Sequence, residues 1–271
     1  DLSDDTALRR RYELAVDLSD ALAHGGFHLV YQPRVNLHTG KVGSVEALVR
    51  WQHPVHGAVS PAEFIPIIER TAIMQKLTLW VVDAALRQLL TWLPDFPTLK
   101  VSLNLSPRDF DNGELVPGIL RLCQAIGIAP ARLEFEITEG EWLHASASVQ
   151  SQLHALADAG ATLSVDDFGA GYSNFANLHK IPAAVLKLDQ SLVTDVATNG
   201  RHAVLVREVL RPARNVGYRT VAEGVESARS LAFVTECGCD EVQGFFFSRP
   251  LAPDAVPGFI RGFTLPVAPS S

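Results

Sequence analysis

Carboxylate and amide side chains stand at the ends of short apolar runs along this chain, and hard oxygen donors gathered that way can bind divalent cations. Glu46 closes VGSVE, Asn104 closes LKVSLN, Glu136 sits in RLEFEITE, Asp166 and Asp167 close TLSVDD, and Glu223 closes TVAE. Lys187 and Gln243 hold similar places in AAVLKLD and DEVQG. A carboxylate at a strand end costs free energy unless something pairs with it. Several that converge repel one another unless cations lie between them. The chemistry this suggests is metal-assisted hydrolysis of a phosphodiester. Two divalent ions ~3.5–4 Å apart can activate water, offset charge on the phosphoryl oxygens and stabilise the leaving oxygen. Mg²⁺ and Mn²⁺ prefer carboxylate, carbonyl and water oxygens, which is the donor set here.

Asp166 and Asp167 are adjacent, which suits two metals, one carboxylate bridging while its neighbour binds the second ion. Neighbours on a strand point to opposite faces, so the chain must leave extended geometry there. Phe168-Gly169-Ala170-Gly171 supplies backbone for that bend. Lys187 beside the metals could have a lowered pKa and take a proton from water, or stay charged and hold the water or phosphate. Gln243 can donate and accept, and so orient a water.

Taken singly, each residue has an ordinary structural reading. The Asp pair could form a solvated turn, Glu46 could lie on an edge strand, and Asn104 could cap a turn. Lys187 could bridge to Asp189, and Glu223 could be a capping group. Six oxygen-bearing groups at successive strand ends favour the shared metal site. The nine histidines show no ligand spacing, and His53 and His56 read as loop structure. Trp51, Trp80, Trp92 and Trp142 read as core or interface rings. Glu139 and Glu226 read equally as support for the site or as surface charge.

The elements that must position these groups follow from periodicity. A helix is expected over 6–24, then strands over 27–33 and 41–51 joined by a turn at 37–40 too short for a helical crossover, so that pair can be antiparallel. Helices follow from Pro61 through Ile73 and across Leu79–Leu89. Strands 98–104, 132–137, 161–166, 184–188, 218–222 and 241–246 then alternate with helices 114–126, 140–159, 201–215, 226–236 and 253–261. That makes eight strands mostly separated by helices, an α/β pattern of parallel sheet. A closed (β/α)8 barrel gathers residues from every strand end, whereas an open sheet uses only its switch-point crevice, so the spread of candidates favours the barrel.

The 271 residues suit one domain, 1–271, with a core over about 20–262. A polar start without Met suggests a domain cut from a longer multidomain protein. Hydrophobic residues at 47% suffice for a large core. A net charge of −7 lacks the footprint of a general nucleic-acid binder, so no DNA or RNA polymer is expected as partner. Three cysteines make no disulfide framework and fit a reducing compartment. No apolar run is long enough to span a bilayer, and a cytoplasmic domain is expected, with an anchor elsewhere in a full-length protein left open.

At these residues the chain resembles the EAL domain family. The resemblance runs through YQP at 31–33, EALVRWQHP, PAEFIP, LNLSP, EFEITE, DDFGAGYSN, LKLDQS, VAEGVES and GCDEVQGFFFSRPL, in order over about 20–260. It implies a modified (β/α)8 barrel with an antiparallel first strand. It also implies hydrolysis of cyclic di-GMP to linear pGpG with two Mg²⁺ or Mn²⁺ ions; inhibition by Ca²⁺ is expected from its longer, more flexible coordination. By motif position Glu46, Asn104, Glu136 and Asp166 would hold one ion, and Asp166, Asp167 and Glu223 the other. Lys187 and Gln243 would position or activate the water, and Glu139 would steady the loop after Asp167. Gln32, Leu48 and Arg50 match the family's substrate contacts. The resemblance further implies a homodimer through the 168–176 loop region, and a longer protein could carry an upstream sensor or GGDEF-type domain. Some members have lost the ligands and act as cyclic di-GMP receptors; here every ligand position is kept. The departures are Ala170, Asn174-Phe175, Leu192 and Phe245, where Thr, Ser-Leu, Phe and Tyr are common. A hydrolase for another phosphodiester is the third reading.

Overall fold

The computed structural model describes residues 2–69, 71–169, 182–196 and 198–266. The expectations placed on Ala170, Asn174, Phe175 and most of the 168–176 loop, the dimer contact included, lie outside the described residues.

Among the described residues nine strands form one sheet. They are β1 Phe27–Asn36, β2 Lys41–His53, β3 Gly57–Val59, β4 Lys100–Asn104, β5 Leu133–Thr138, β6 Thr162–Phe168, β7 Val185–Leu188, β8 Arg219–Ala222 and β9 Glu241–Val242. The order β1-β9-β8-β7-β6-β5-β4-β2, with β1 also paired to β2, closes eight of them into a barrel, and β3 hangs from β2 outside the ring. β1 is antiparallel to both neighbours, while the pairs from β2–β4 round to β8–β9 are parallel. The reversal comes from the tight turn after Asn36, whose side chain accepts from the backbone N–H of His38 and Thr39.

The α-helices among the described residues are α1 Leu2–His24, α2 Pro61–Ile68, α3 Ala72–Trp92, α4 Leu115–Ile126, α5 Glu139–Leu143, α6 Ala147–Asp158, α7 Gln190–Val193, α8 Gly200–Asn215, α9 Ala228–Glu236 and α10 Val256–Gly262. They cover the outward, apolar faces of the strands. Val101, Leu103, Leu133, Phe135, Leu163, Val165 and Leu186 pack there against Leu86, Leu89, Ile119, Leu153 and Val206. A second cluster, with Leu14, Leu18, Phe27, Trp51 and Phe64, seats α1 against β2 and α2.

Several boundaries differ from those expected, each for a local reason. The helix expected from Pro61 to Ile73 stops at Ile68, because Thr71 donates its hydroxyl to Ile68 O and caps α3 through the backbone N–H of Ile73. The helix expected over 140–159 is two, since Ser146 restarts it by accepting from Val149 N. The strand expected over 241–246 ends at Val242. Gly244 there lies against the backbone of Val225, where an added Cβ would sit 2.1 Å from the carbonyl oxygen. β3 was not foreseen; three residues carry too little alternation to read.

Candidate active site

The inward face of the barrel carries many polar side chains, unlike the branched apolar layers common in such barrels, although Val185 and Val221 lie there too. Pairing places Gln32 opposite Glu46, Glu46 beside Ser102, Asn104 beside Glu136, and Lys187 beside Val221. The strand ends therefore meet at one mouth.

Lys187 is its centre. Only 1% exposed, its Nζ lies 2.5 Å from Glu136 Oε2, 2.7 Å from Glu223 Oε1 and 3.0 Å from Asp166 Oδ1. Burial disfavours its charge, but Asp166, Glu136, Glu223 and Glu46 together outweigh that and hold its pKa well above the usual lysine value. Without metal, Lys187 is thus held in its charged form. The alternative bridge to Asp189 is not formed; that carboxylate caps α7 through Ser191 N at 2.8 Å.

Glu46 is buried, not on an edge. Its Oε1 accepts from Asn104 Nδ2 at 2.9 Å and its Oε2 from Gln243 Nε2 at 2.6 Å. Burial opposes its ionisation, yet Lys187 and these two donors keep its pKa below the ordinary value. Gln243 also reaches Gln32 Oε1 at 3.2 Å. Glu136 is fully buried and pushed upward by burial and by the charges of Glu46 and Asp166. Its Oε1 has no hydrogen-bond partner among the described residues.

Asp166, Asp167 and Glu223 each bring one carboxylate oxygen within 4.8 Å of the others, so they could hold a metal ion. The bend this needs begins at Asp167 itself, earlier than the glycine-bearing stretch after it. Asp167 has φ 53°, the left-handed region, and is the only such non-glycine among the described residues. Aspartate tolerates that region better than most residues. The turn breaks the register between Val165 and Phe168 and is braced by Asp167 N donating to Asp166 Oδ1 at 3.0 Å. Gly169 follows at φ 98° and faces Leu192, whose Cδ1 would lie 2.4 Å from an added Cβ.

Burial, then the charge of Asp166, raises Asp167 to about 6, and burial with Asp166 and Glu46 raises Glu223 to about 7 against the pull of Lys187. The metal-free fold thus holds protons that the unfolded chain has released, from the ordinary glutamate value of 4.5 up to about 7. Stability of the metal-free protein is expected to fall as pH rises through that window, since the native state there binds more protons. Denaturant midpoints across the window in EDTA should show the decline, and Mn²⁺ should remove it. A midpoint independent of pH in EDTA would count against this electrostatic picture.

A cavity of about 200 Å³ opens above these groups, lined by Gln32, Leu48, Glu226 and Phe245 among others. Phe245 is half exposed and carries the Arg249 guanidinium 4.4 Å from its ring centroid. Beside it a larger apolar cavity of about 310 Å³ is lined by Leu48, Arg50, Ile65, Met74 and Asn104. Arg50 donates to Val49 O at 2.8 Å. Glu139 is buried at the start of α5, but the loop it was expected to steady lies largely outside the described residues. His53 and His56 pair with Asp17 and Glu13 of α1, a structural role. The cysteines are free, and burial raises the pKa of each thiol.

One set of residues near the site escaped the sequence reading. Arg34, Ser44, Glu134 and Glu241 form a charged layer one step below the mouth. The signal was available: each stands two residues from Gln32, Glu46, Glu136 or Gln243, and alternate strand residues share a face.

One reversed strand, and a mouth that collects carboxylates around a buried lysine, characterise this α/β barrel. The EAL domain profile matches residues 15–250, and the chain belongs to the EAL domain family. It is 38% identical over 258 residues to cyclic di-GMP phosphodiesterase PA2567 of Pseudomonas aeruginosa, covering 95% of this chain and 44% of that protein. The NbdA cyclic di-GMP phosphodiesterase of the same organism is 34% identical, with 95% and 33% covered. The chain thus spans less than half the length of these curated relatives. The PaMucR phosphodiesterase in its c-di-GMP complex superposes with a TM-score of 0.85 at 33% identity, covering 90% of this chain and 99% of that one. The Xanthomonas citri FimX EAL domain in complex with c-diGMP gives 0.79 at 26%, covering 93% and 98%. No helix among the described residues is long and apolar enough to cross a membrane.

Proposed function

We propose that this chain, as a single domain over 1–271, hydrolyses cyclic di-GMP to linear pGpG with two divalent ions, Mg²⁺ or Mn²⁺. The observation that carries the reading is the convergence of Glu136, Asp166 and Glu223 on Lys187, with Asp167 turned toward the same point. A single ammonium leaves the surplus negative charge of this group unbalanced, and the donors are hard oxygens, so the residues fit such ions.

Glu46, Asn104, Glu136 and Asp166 would hold one ion, and Asp166, Asp167 and Glu223 the other. Bound there, the ions would supply Lewis acidity toward the phosphoryl oxygens and an activated water. The chain's own groups do the rest. Lys187, kept charged by its carboxylates, steadies the attacking water or the phosphate. Gln243 holds Glu46 in place and orients water through its amide. Arg50 and Gln32 bring donors to the substrate's phosphates and sugars, a fork in the case of Arg50. Glu139 braces the loop after Asp167. The apolar cavity beside Leu48 has the size and lining to take a planar base. Water adds at phosphorus and one ring P–O bond breaks, which yields a 5′-phosphate and a free 3′-hydroxyl.

Incubation of the purified chain with cyclic di-GMP and Mg²⁺ or Mn²⁺, with products separated by chromatography, tests this directly. Linear dinucleotide is expected with either ion. Ca²⁺ alone should give none, because its longer, more flexible coordination does not suit the site. Tight binding without product in any ion would instead make the chain a receptor. Turnover of other phosphodiesters in preference would reassign the substrate.

A further inference from the structure

We propose that Arg34 is a positioning residue for Glu136, acting from beneath the site through a fixed positive charge. The inference rests on the metal-dependent reading above. Arg34 is 2% exposed and lies inside the barrel on β1. Its guanidinium is held on three sides. Nη1 and Nη2 donate to Glu134 Oε1 and Oε2 at 2.7 and 2.9 Å, Nε donates to Ser44 Oγ at 2.7 Å, and Nε lies 2.8 Å from Glu241 Oε2. Arg219 closes the layer from β8, reaching Glu134 at 3.0 Å and Glu241 at 3.3 Å. Two guanidiniums therefore balance two carboxylates, and a neutral layer alone would need nothing more.

Arg34 does something further. Its Nη1 sits 3.8 Å from Glu136 Oε1, the buried oxygen that has no hydrogen-bond partner among the described residues. The other oxygen of the same carboxylate is held by Lys187. Glu136 is thus fixed between a cation above and a cation below. Glu134 and Glu136 are alternate residues of β5, so one strand step links the anchor of Arg34 to the carboxylate it faces. At 3.8 Å the contact is too long for a hydrogen bond and too short to be without effect in a buried setting. The attraction draws Oε1 toward Arg34 and so fixes the rotation of the carboxylate, with Oε2 turned to Lys187 at the mouth.

The test is Mn²⁺ affinity measured by calorimetry, with the Mn²⁺ electron paramagnetic resonance spectrum as a second readout. Wild type is measured first, and absence of both Mn²⁺ binding and hydrolysis there would overturn the proposed function and this inference with it. Arg34→Met alone leaves Glu134 and Glu241 short of a partner, so it is combined with Glu134→Gln, which restores charge balance in the layer. The double variant is expected to fold with an unchanged circular dichroism spectrum and yet bind Mn²⁺ about 10–100-fold more weakly, the usual effect of losing a support behind a ligand. Wild-type affinity in the folded double variant would show that Arg34 only balances Glu134, and would overturn this inference while leaving the function standing. Arg34→Lys keeps a charge below Glu136 but loses the fork to Glu134. It should lose stability and retain most of the affinity; a loss of affinity equal to that of the double variant would also overturn the proposal.

Discussion

Lys187→Met is expected to leave a protein that folds poorly without divalent ions and recovers much of its stability when Mn²⁺ is added. Lys187 is the only side-chain cation within 4 Å of Glu223 and Asp166 among the described residues, and the nearest one to Glu136. Its removal leaves buried carboxylates facing one another. Breaking a buried pair in that way costs about 3–5 kcal/mol. The ions would take over the neutralising role, and anything that binds only the native state stabilises it by mass action. Denaturant melts of the variant in EDTA and in Mn²⁺ check this. Equal stability of variant and wild type in EDTA would mean that Lys187 does not hold the site together. Activity should fall as well, by roughly 10²–10⁴-fold for a residue that positions or moves a proton, even with Mn²⁺ saturating.

Glu46→Ala is the second large effect, and its character differs. Glu46 accepts from Asn104 and Gln243, so its loss frees two neighbours as well as removing an oxygen donor. Impaired binding of one ion removes several kcal/mol of transition-state stabilisation, which corresponds to about 10³-fold or more in turnover. The fold should survive, because among the described residues the Glu46 carboxylate hydrogen-bonds only to those two amides. Steady-state rates at saturating Mg²⁺, compared with the circular dichroism spectrum, separate loss of function from loss of structure. Turnover equal to wild type would strip Glu46 of its role as a ligand.

Much of this arrangement was readable because it repeats. Asn104 ends β4, Glu136 and Asp166 lie near the ends of β5 and β6, and Glu223 follows β8, each after apolar residues, and the parallel register then brings those ends to one side. What could not be read depends on contacts between distant segments. Nothing local at Lys187 distinguishes a bridge to nearby Asp189 from the three carboxylates it meets, which come from β5, β6 and the end of β8. The bend expected in the glycine-bearing stretch begins one residue earlier, at Asp167, because two adjacent carboxylates that an extended strand would point to opposite faces must there turn toward one site. The charged layer of Arg34, Glu134 and Glu241 was hidden for another reason. A buried ion pair looks like a surface charge in a sequence until its partner is known, and that partner is here 100 residues away. The split at Ser146 was obscured by helix-compatible residues on both sides of a cap.

The backward course of β1 alters where the polypeptide enters the barrel. In a wholly parallel barrel, whatever leads into the first strand arrives at the floor, remote from the reaction. Here β1 starts opposite Trp51, beyond the level of Glu46, so α1 arrives at the rim. Through Asp17 and Glu13 it clasps His53 and His56, at the end of the very strand that bears Glu46 and Arg50 and in the turn after it, and through Arg10 it holds Glu63 of α2. A push on that helix would reach the ligand-bearing strand within a few residues, without having to cross the molecule.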